Sequence, residues 1–136
     1  MEKKNLIRVH DFLKEAQTYY LATADGDQPR VRPFGTILLF ENKLYILTSK
    51  TKDISKQVAG NSKFELSAMD SKGNWIRVNG NLIEDNRKEV QIAMLEEYPN
   101  LKNSYSAGGE NTQTLYLDNA IATIYSFEKE PEVLGL

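Results

Sequence analysis

The stretch Leu47–Val58, LTSKTKDISKQV, sets two hydroxyls and then Lys50, Lys52 and Lys56 where the alternating apolar run KLYIL gives way to helical spacing. A helix N-terminus carries unpaired backbone N–H groups and a partial positive charge. Lysines at that end are therefore unfavourable, by roughly a few tenths of a kcal/mol each. A bound phosphate reverses the sign, because hydroxyls, N–H groups and ammonium groups then converge on one dianion. Lys52 and Lys56 are four residues apart and share a helix face, so both reach one point. A solvated basic helix end is the other reading of the same residues, and they leave both open.

A second basic stretch, QPRVRPFGT, bears on that choice. Arg30 and Arg32 alternate to one side of a strand expected to pair, across a Glu41-Asn42 turn, with the strand at 43–48. That pairing would bring Arg32 near Thr48. Pro33 and Gly35 interrupt the wall of side chains, so a flat ligand can approach the backbone there. Arg30 and Arg32 also suit an exposed edge that must resist strand aggregation. Taken with the lysines, they favour an anion site.

Trp75, the lone tryptophan, fits core packing or a planar apolar wall against a ring or a second subunit. Arg77 shares its face, and is expected to be partly buried and to need a partner. His10 lies on the expected first helix and reads as a surface or packing histidine. No acid–base residue stands out.

The elements that must position these groups follow from periodicity. Leu6, Val9, Leu13 and Ala16 recur at helical intervals over 4–17. Strands are expected at 19–23, 31–40 and 43–48, the last covered on both faces because Leu44, Tyr45, Ile46 and Leu47 are all apolar. Pro29 and Pro33 place the second of these at an edge or a bend. A helix capped by Ser49 or Thr51 runs to about Ala59. Strands at 63–69 and 75–84 and a helix at 86–97 follow, the helix opened by an Asn86/Glu89 capping box. SYSAGGENTQT reads as a loop, 114–116 and 120–127 as strands, and EKEPEVLGL as a peripheral tail. Short turns make neighbouring strands antiparallel. Six or seven such strands favour a closed or split barrel, since closure removes exposed edges.

Composition sets outer bounds. The 136 residues, 40% hydrophobic and 26% charged, are those of one compact globular domain spanning 1–136. With no cysteine and one histidine, there is no thiolate chemistry and no multi-histidine metal centre within one chain. A net charge of −2 argues against broad nucleic-acid binding, including a single-strand-binding barrel. No stretch approaches the length of a membrane span, and the first residues lack the apolar core of a signal peptide. A cytoplasmic location is the expectation.

QPRVRPFG, KLYILTSKTKDISKQV, NWIRVNGNL and NAIATIYSFEKEPEV, in that order and spacing, resemble the pyridoxamine 5′-phosphate oxidase-related family of FMN-binding split barrels. The small bacterial members, including the nitroimidazole-resistance-like ones, are the most similar. The resemblance runs over about 5–130. It implies a mainly β, α+β fold: a six-stranded antiparallel split barrel with flanking helices. It also implies a homodimer with FMN between the subunits.

By the same resemblance, Arg32 reaches the FMN phosphate, and Pro33, Phe34 and Gly35 line the isoalloxazine. Thr48 and Ser49 flank the ribityl phosphate, and Lys50, Lys52 and Lys56 form the basic joint. Trp75 meets the flavin from the partner subunit. The implied activity is an oxidoreductase passing electrons from a reduced nicotinamide or similar donor to a small acceptor. A flavin-binding, stress-related protein without turnover is the alternative. The C-terminal arginine and histidine that the vitamin B6 oxidase uses for its substrate have no counterpart here, so oxidation of pyridoxamine phosphate is not expected.

Overall fold

The structure, a computed structural model, describes residues 3–136. Helix α1, Lys3–Ala16, buries Leu6, Val9 and Leu13 on one stripe. It stops one residue earlier than its apolar spacing suggests, because Gln17 turns left-handed at φ 69°. Strands β1 (Tyr19–Asp25) and β2 (Gln28–Phe34) form a hairpin around Gly26, at φ 62°. Strand β3 (Leu38–Phe40) returns as β4 (Lys43–Ser49) through Glu41 and Asn42, at φ 51° and 62°. Two successive positive φ values give a turn whose twist matches the strands it joins.

Helix α2 (Asp53–Gly60), β5 (Lys63–Met69), β6 (Trp75–Glu84) and helix α3 (Lys88–Glu97) come next. A 3₁₀ turn, Pro99–Asn103, leads to β7 (Thr112–Tyr125) and β8 (Glu132–Gly135). Strand order in the antiparallel sheet is β2-β1-β5-β6-β7-β4-β3, with β8 added to β7.

The architecture is the mainly β, α+β arrangement expected, with a strand count of eight instead of six among the described residues. Two local facts account for the difference. The 31–40 run is not one strand: it breaks at Gly35–Ile37, and its halves lie at opposite ends of the sheet without pairing to each other. That break leaves the sheet open between β2 and β3. The tail is not peripheral either, since β8 pairs with β7 and buries Leu134, and Leu136 is buried beyond it. Pro29 and Pro33 fall on the edge strand β2, where a missing ladder donor costs least.

Leu44 and Ile46 face the main core, with Leu21, Leu66, Ile76, Val78, Leu115 and α1. Tyr45 and Leu47, on the other face of β4, pack with Leu38, Val90, Met94 and Leu95 beneath α3. Both faces of β4 are thus covered, as its unbroken apolar run requires. Strands 114–116 and 120–127 are one continuous strand, β7, which starts inside the expected loop.

Neither expected helix cap forms. Lys52 is the N-cap of α2, while Ser49 Oγ accepts from Thr51 N at 3.2 Å and shares a 2.8 Å bond with the Thr51 hydroxyl. Arg87 is the N-cap of α3, because Asn86 accepts from Thr114 N at 2.9 Å and donates to Glu84 at 2.8 Å. Side chains that favour caps are diverted to the β7 ladder and the β4 turn.

A polar knot ties β4 to the α3 entrance. Tyr45 Oη donates to Asp85 Oδ2 at 2.8 Å, and Arg87 donates to Asp85 at 3.0 Å and to Glu41 at 2.6 Å. Arg87 chiefly, and Tyr45 with it, hold the Asp85 carboxyl down at about 2. Burial lifts the Tyr45 phenol to about 12. A carboxyl depressed on folding adds stability above its unfolded value near 3.8, and loses it as pH falls through about 2. Screened by solvent, the increment is about 1–2 kcal/mol. Asp85→Asn is expected to remove this contribution, read as a thermal midpoint lower than wild type at pH 7 and flatter between pH 4 and 2.

No helix among the described residues is long and apolar enough to cross a membrane.

Candidate functional site

Arg32 pairs with Leu21 on β1, not with the strand that carries Thr48. The expected Arg32–Thr48 neighbourhood fails because β2 and β3 separate at Gly35. Instead the Arg32 side chain crosses under β1 towards α2. Nη1 donates to Thr23 Oγ1 at 2.8 Å and to Leu21 O at 3.2 Å, and Nη2 donates to Gln57 Oε1 at 2.8 Å. Thr23 Oγ1 donates to the same Gln57 oxygen at 2.6 Å.

All these acceptors are neutral. Among the described residues Arg32 forms no ion pair, and neither does Lys52 or Lys56. Burial lowers the Arg32 guanidinium from its usual value, and Asp53 opposes that in part. A half-buried cation with no carboxylate partner is costly unless an anion joins it. Arg32 Nε–H and one Nη2 hydrogen have no acceptor among the described residues, so donors remain for a ligand.

These groups border a cleft of about 590 Å³ between the β1–β2 hairpin and the first turns of α2. Arg30, Arg32, Val31, Pro33 and Phe34 form the strand wall, and Lys52, Asp53, Ile54, Lys56 and Gln57 the helix wall. Four cations face two carboxylates, and one of these, Asp25, is taken by Arg30 at 3.3 Å. The remaining balance is positive. Past Pro33 and Phe34 a smaller pocket of about 160 Å³ continues along Gly35, Thr36, Leu47, Lys52, Leu101 and Tyr105.

Arg32, Pro33, Phe34, Gly35, Lys52 and Lys56 therefore come together. Thr48, Ser49, Lys50 and Trp75 line neither hollow. Thr48 is buried on β4 opposite Gln113, and its hydroxyl has no hydrogen-bond partner among the described residues. Ser49 is engaged with Thr51. Lys50 lies towards Glu84, which it helps keep ionised, and its N–H donates to Asn111 O at 2.8 Å.

Trp75 sits on the outer face of β6, with β5 and β1 between it and β2, about 14 Å across the sheet at ordinary strand spacing. It stacks on Tyr125 with ring centres 4.0 Å apart, and the Arg77 guanidinium lies 5.2 Å above it. Arg77 is exposed rather than partly buried, and reaches Glu65 only at 3.9 Å. His10 is a packing residue: its ring nitrogens contact Asp11 and Glu97, each at 3.0 Å, and join α1 to α3.

Thr23, Gln57, Leu101 and Tyr105 belong to the site but were not singled out from the sequence. Gln57 had a signal, since Lys52, Asp53, Lys56 and Gln57 recur as one helical face. The others are brought in by strand pairing and by the 3₁₀ turn.

An open antiparallel sheet flanked by three helices, with a cationic cleft at its first hairpin, defines the class as a small mainly β, α+β domain of split-barrel type. The profile described as pyridoxamine 5′-phosphate oxidase matches residues 7–113, and the chain belongs to that family. A solved NimC/NimA family protein from Clostridium acetobutylicum is 45% identical, with a TM-score of 0.95 over 98% of this chain and 94% of that one. A pyridoxamine 5′-phosphate oxidase-related, FMN binding protein from Nostoc punctiforme shares the fold at 16% identity, with a TM-score of 0.59 over 98% of this chain and 93% of that one. A heme binding protein from Mycobacterium smegmatis does so at 10% identity and a TM-score of 0.71, with 90% of this chain and 57% of that one covered. No curated protein matches the chain.

Proposed function

We propose that the cleft binds FMN, with its phosphate held by Arg32, Lys52 and Lys56 and its ring directed along Pro33, Phe34 and Gly35. The observation that carries this reading is the Arg32 guanidinium, half-buried, bonded among the described residues to neutral acceptors alone and facing two lysines that form no ion pair among those residues. A phosphate monoester supplies the missing negative charge and several acceptor oxygens. The donor set fits that group. Gly35 suits a flat ring, since its backbone is uncovered by a side chain.

Relatives of this fold are named for FMN and for heme. FMN is favoured because the lone histidine, the usual axial ligand of heme, has both ring nitrogens on carboxylates away from the cleft.

Bound flavin supplies two-electron chemistry, and the protein supplies position and charge. Arg32, fixed by Thr23 and Gln57, orients the phosphate, Lys52 and Lys56 neutralise it, and Phe34 shields one side from water. The activity we assign is transfer of electrons from a reduced nicotinamide or similar donor to a small acceptor. Purified protein is expected to show flavin absorbance bands and to release FMN on denaturation. Colourless protein that stays empty in excess FMN overturns the reading. Steady-state oxidation of NADH or NADPH, with and without a quinone, separates an enzyme from a flavin-binding protein without turnover.

The working unit in this proposal is a homodimer. Tyr20, Val31, Met69, Ile121 and Val133 are 55%, 67%, 64%, 46% and 66% exposed on one sheet face, where an antiparallel sheet facing water would carry polar side chains. Strand register continues that face from Val31 and Pro33 at the cleft to the Trp75–Tyr125 stack. A second copy packed there would bring its Trp75 to the flavin. Sedimentation equilibrium of the flavin-loaded protein is expected to give twice the chain mass, and a monomer counts against the shared site.

A further inference from the structure

We infer that Tyr98 is a positioning residue for the ring end of the cleft, acting through the crossover Gly35–Ile37. Its consequence for the cofactor rests on the flavin reading; its tie to the crossover does not. Gly35 and Thr36 border the inner end of the cleft, where β2 has ended and β3 has not begun. Backbone outside the ladder must find other partners for its N–H and C=O groups. Ile37 is 1% exposed, so water does not supply them.

Side chains do. The Tyr98 hydroxyl accepts from Ile37 N at 3.0 Å and donates to Ile37 O at 3.2 Å. One oxygen thus satisfies both backbone groups of a single buried residue. Tyr19 donates to Thr36 O at 2.6 Å, and Thr36 Oγ1 accepts from Leu47 N at 3.0 Å. Behind Gly35, a Cβ would meet Gln17 O at 3.4 Å. Each residue of the crossover is therefore tied or backed by a different part of the fold.

Tyr98 is the member of this set that comes from outside the sheet. It follows α3, and Lys14 of α1 sets its ammonium 3.9 Å from the ring centre while donating to Glu97 at 3.3 Å. That cation–π contact holds the ring and so aims the hydroxyl at Ile37. Tyr19 serves the same crossover but sits in the main core, where a change would also disturb packing. The phosphate end has separate supports, since Arg32 is anchored by Thr23, Leu21 and Gln57. Removing the Tyr98 hydroxyl should therefore loosen the wall beside the flavin ring and leave the grip on phosphate in place.

Tyr98→Phe is the test, because it keeps the ring beside Lys14 and removes the hydroxyl alone. Binding of riboflavin and FMN to the full chain is read by fluorescence titration, and the surroundings of the bound ring by visible circular dichroism. Both flavins are expected to bind about five- to twentyfold more weakly, by the same factor, in keeping with two ordinary hydrogen bonds. The dichroism of bound FMN should change shape. Leu134→Ala, which opens the core beneath β8, is the control for lost stability. It should lower the thermal midpoint without moving flavin affinity or dichroism. A lower midpoint in Tyr98→Phe with both flavin readouts unchanged makes the tyrosine a brace of the fold alone and overturns the inference. A loss confined to FMN moves the effect to the phosphate and also overturns it. Wild type that binds neither flavin overturns the cofactor reading. Amide NMR shifts in the flavin-free variant then decide the tie: changes centred on Gly35, Thr36 and Ile37 uphold it, and changes no larger there than elsewhere overturn it.

Discussion

The double variant Arg32→Ala, Lys56→Ala is expected to lose FMN affinity by about 150- to 2,000-fold, the equivalent of about 3–4.5 kcal/mol. Each residue offers charge-assisted bonds to a phosphate, and such bonds are worth about 1.5–3 kcal/mol each when one partner is ionised. Lys56 is exposed and stands at the low end of that range, and Arg32, half-buried, at the high end. Stability should change far less. Arg32 gives up bonds to Thr23, Leu21 and Gln57, but removing it also relieves a charge with no ion-pair partner among the described residues. Riboflavin, which lacks the phosphate, is the control: its affinity should be nearly the same in wild type and variant. Fluorescence titration with both flavins reads the difference. An equal loss for the two would move the phosphate elsewhere, and no loss for either would empty the cleft of its assigned role.

Gly80→Ala should be strongly destabilising, because both of its closest clashes are with backbone. A Cβ built on Gly80 lies 2.7 Å from Asp118 O and 2.9 Å from Ala120 Cα, both backbone atoms of β7. Glycine is needed here for closeness, since β6 and β7 shift register between Asn79 and Asn81 and their backbones approach. Relief requires moving a strand at the centre of the sheet. Forced overpacking of this kind costs about 1–3 kcal/mol and sometimes more. At roughly 3–6 °C per kcal/mol for a chain of this length, a fall of about 5–15 °C in Tm is expected. Gly60→Ala is the matching control, because a Cβ there meets nothing within 4 Å. Equal midpoints for the two variants would show that the bulge relaxes without cost.

What could be read from residue order alone was whatever depends on near neighbours. Leu6, Val9 and Leu13 mark α1 because helical period is local, and Glu41-Asn42 marks a turn because two residues suffice to make one. The lysine joint was legible for the same reason: Lys52 and Lys56 meet through helix geometry. Arg32 was recognised, yet its surroundings were not. Its strand was expected beside β4, whereas the Gly35 break sends it to β1 and into contact with Gln57. Asn86 looks like a cap from its own stretch of chain, but Thr114, brought in by long-range pairing, takes its oxygen. The tail reads as polar and loose until β7 offers it an edge and the core takes Leu134. What residue order does not show is set by contacts between distant stretches of the chain.

Strand β7 is paired with β6 on one side and β4 on the other. During translation this imposes an order of events. Residues 43–49 leave the ribosome with apolar side chains on both faces and only the short β3 as a neighbour. Their lasting partner is made after α2, β5, β6 and α3. The nascent chain must therefore carry an incomplete, adhesive strand through nearly half of its synthesis. Slowing elongation over 88–111 should lower the soluble yield, and a holding chaperone should restore it.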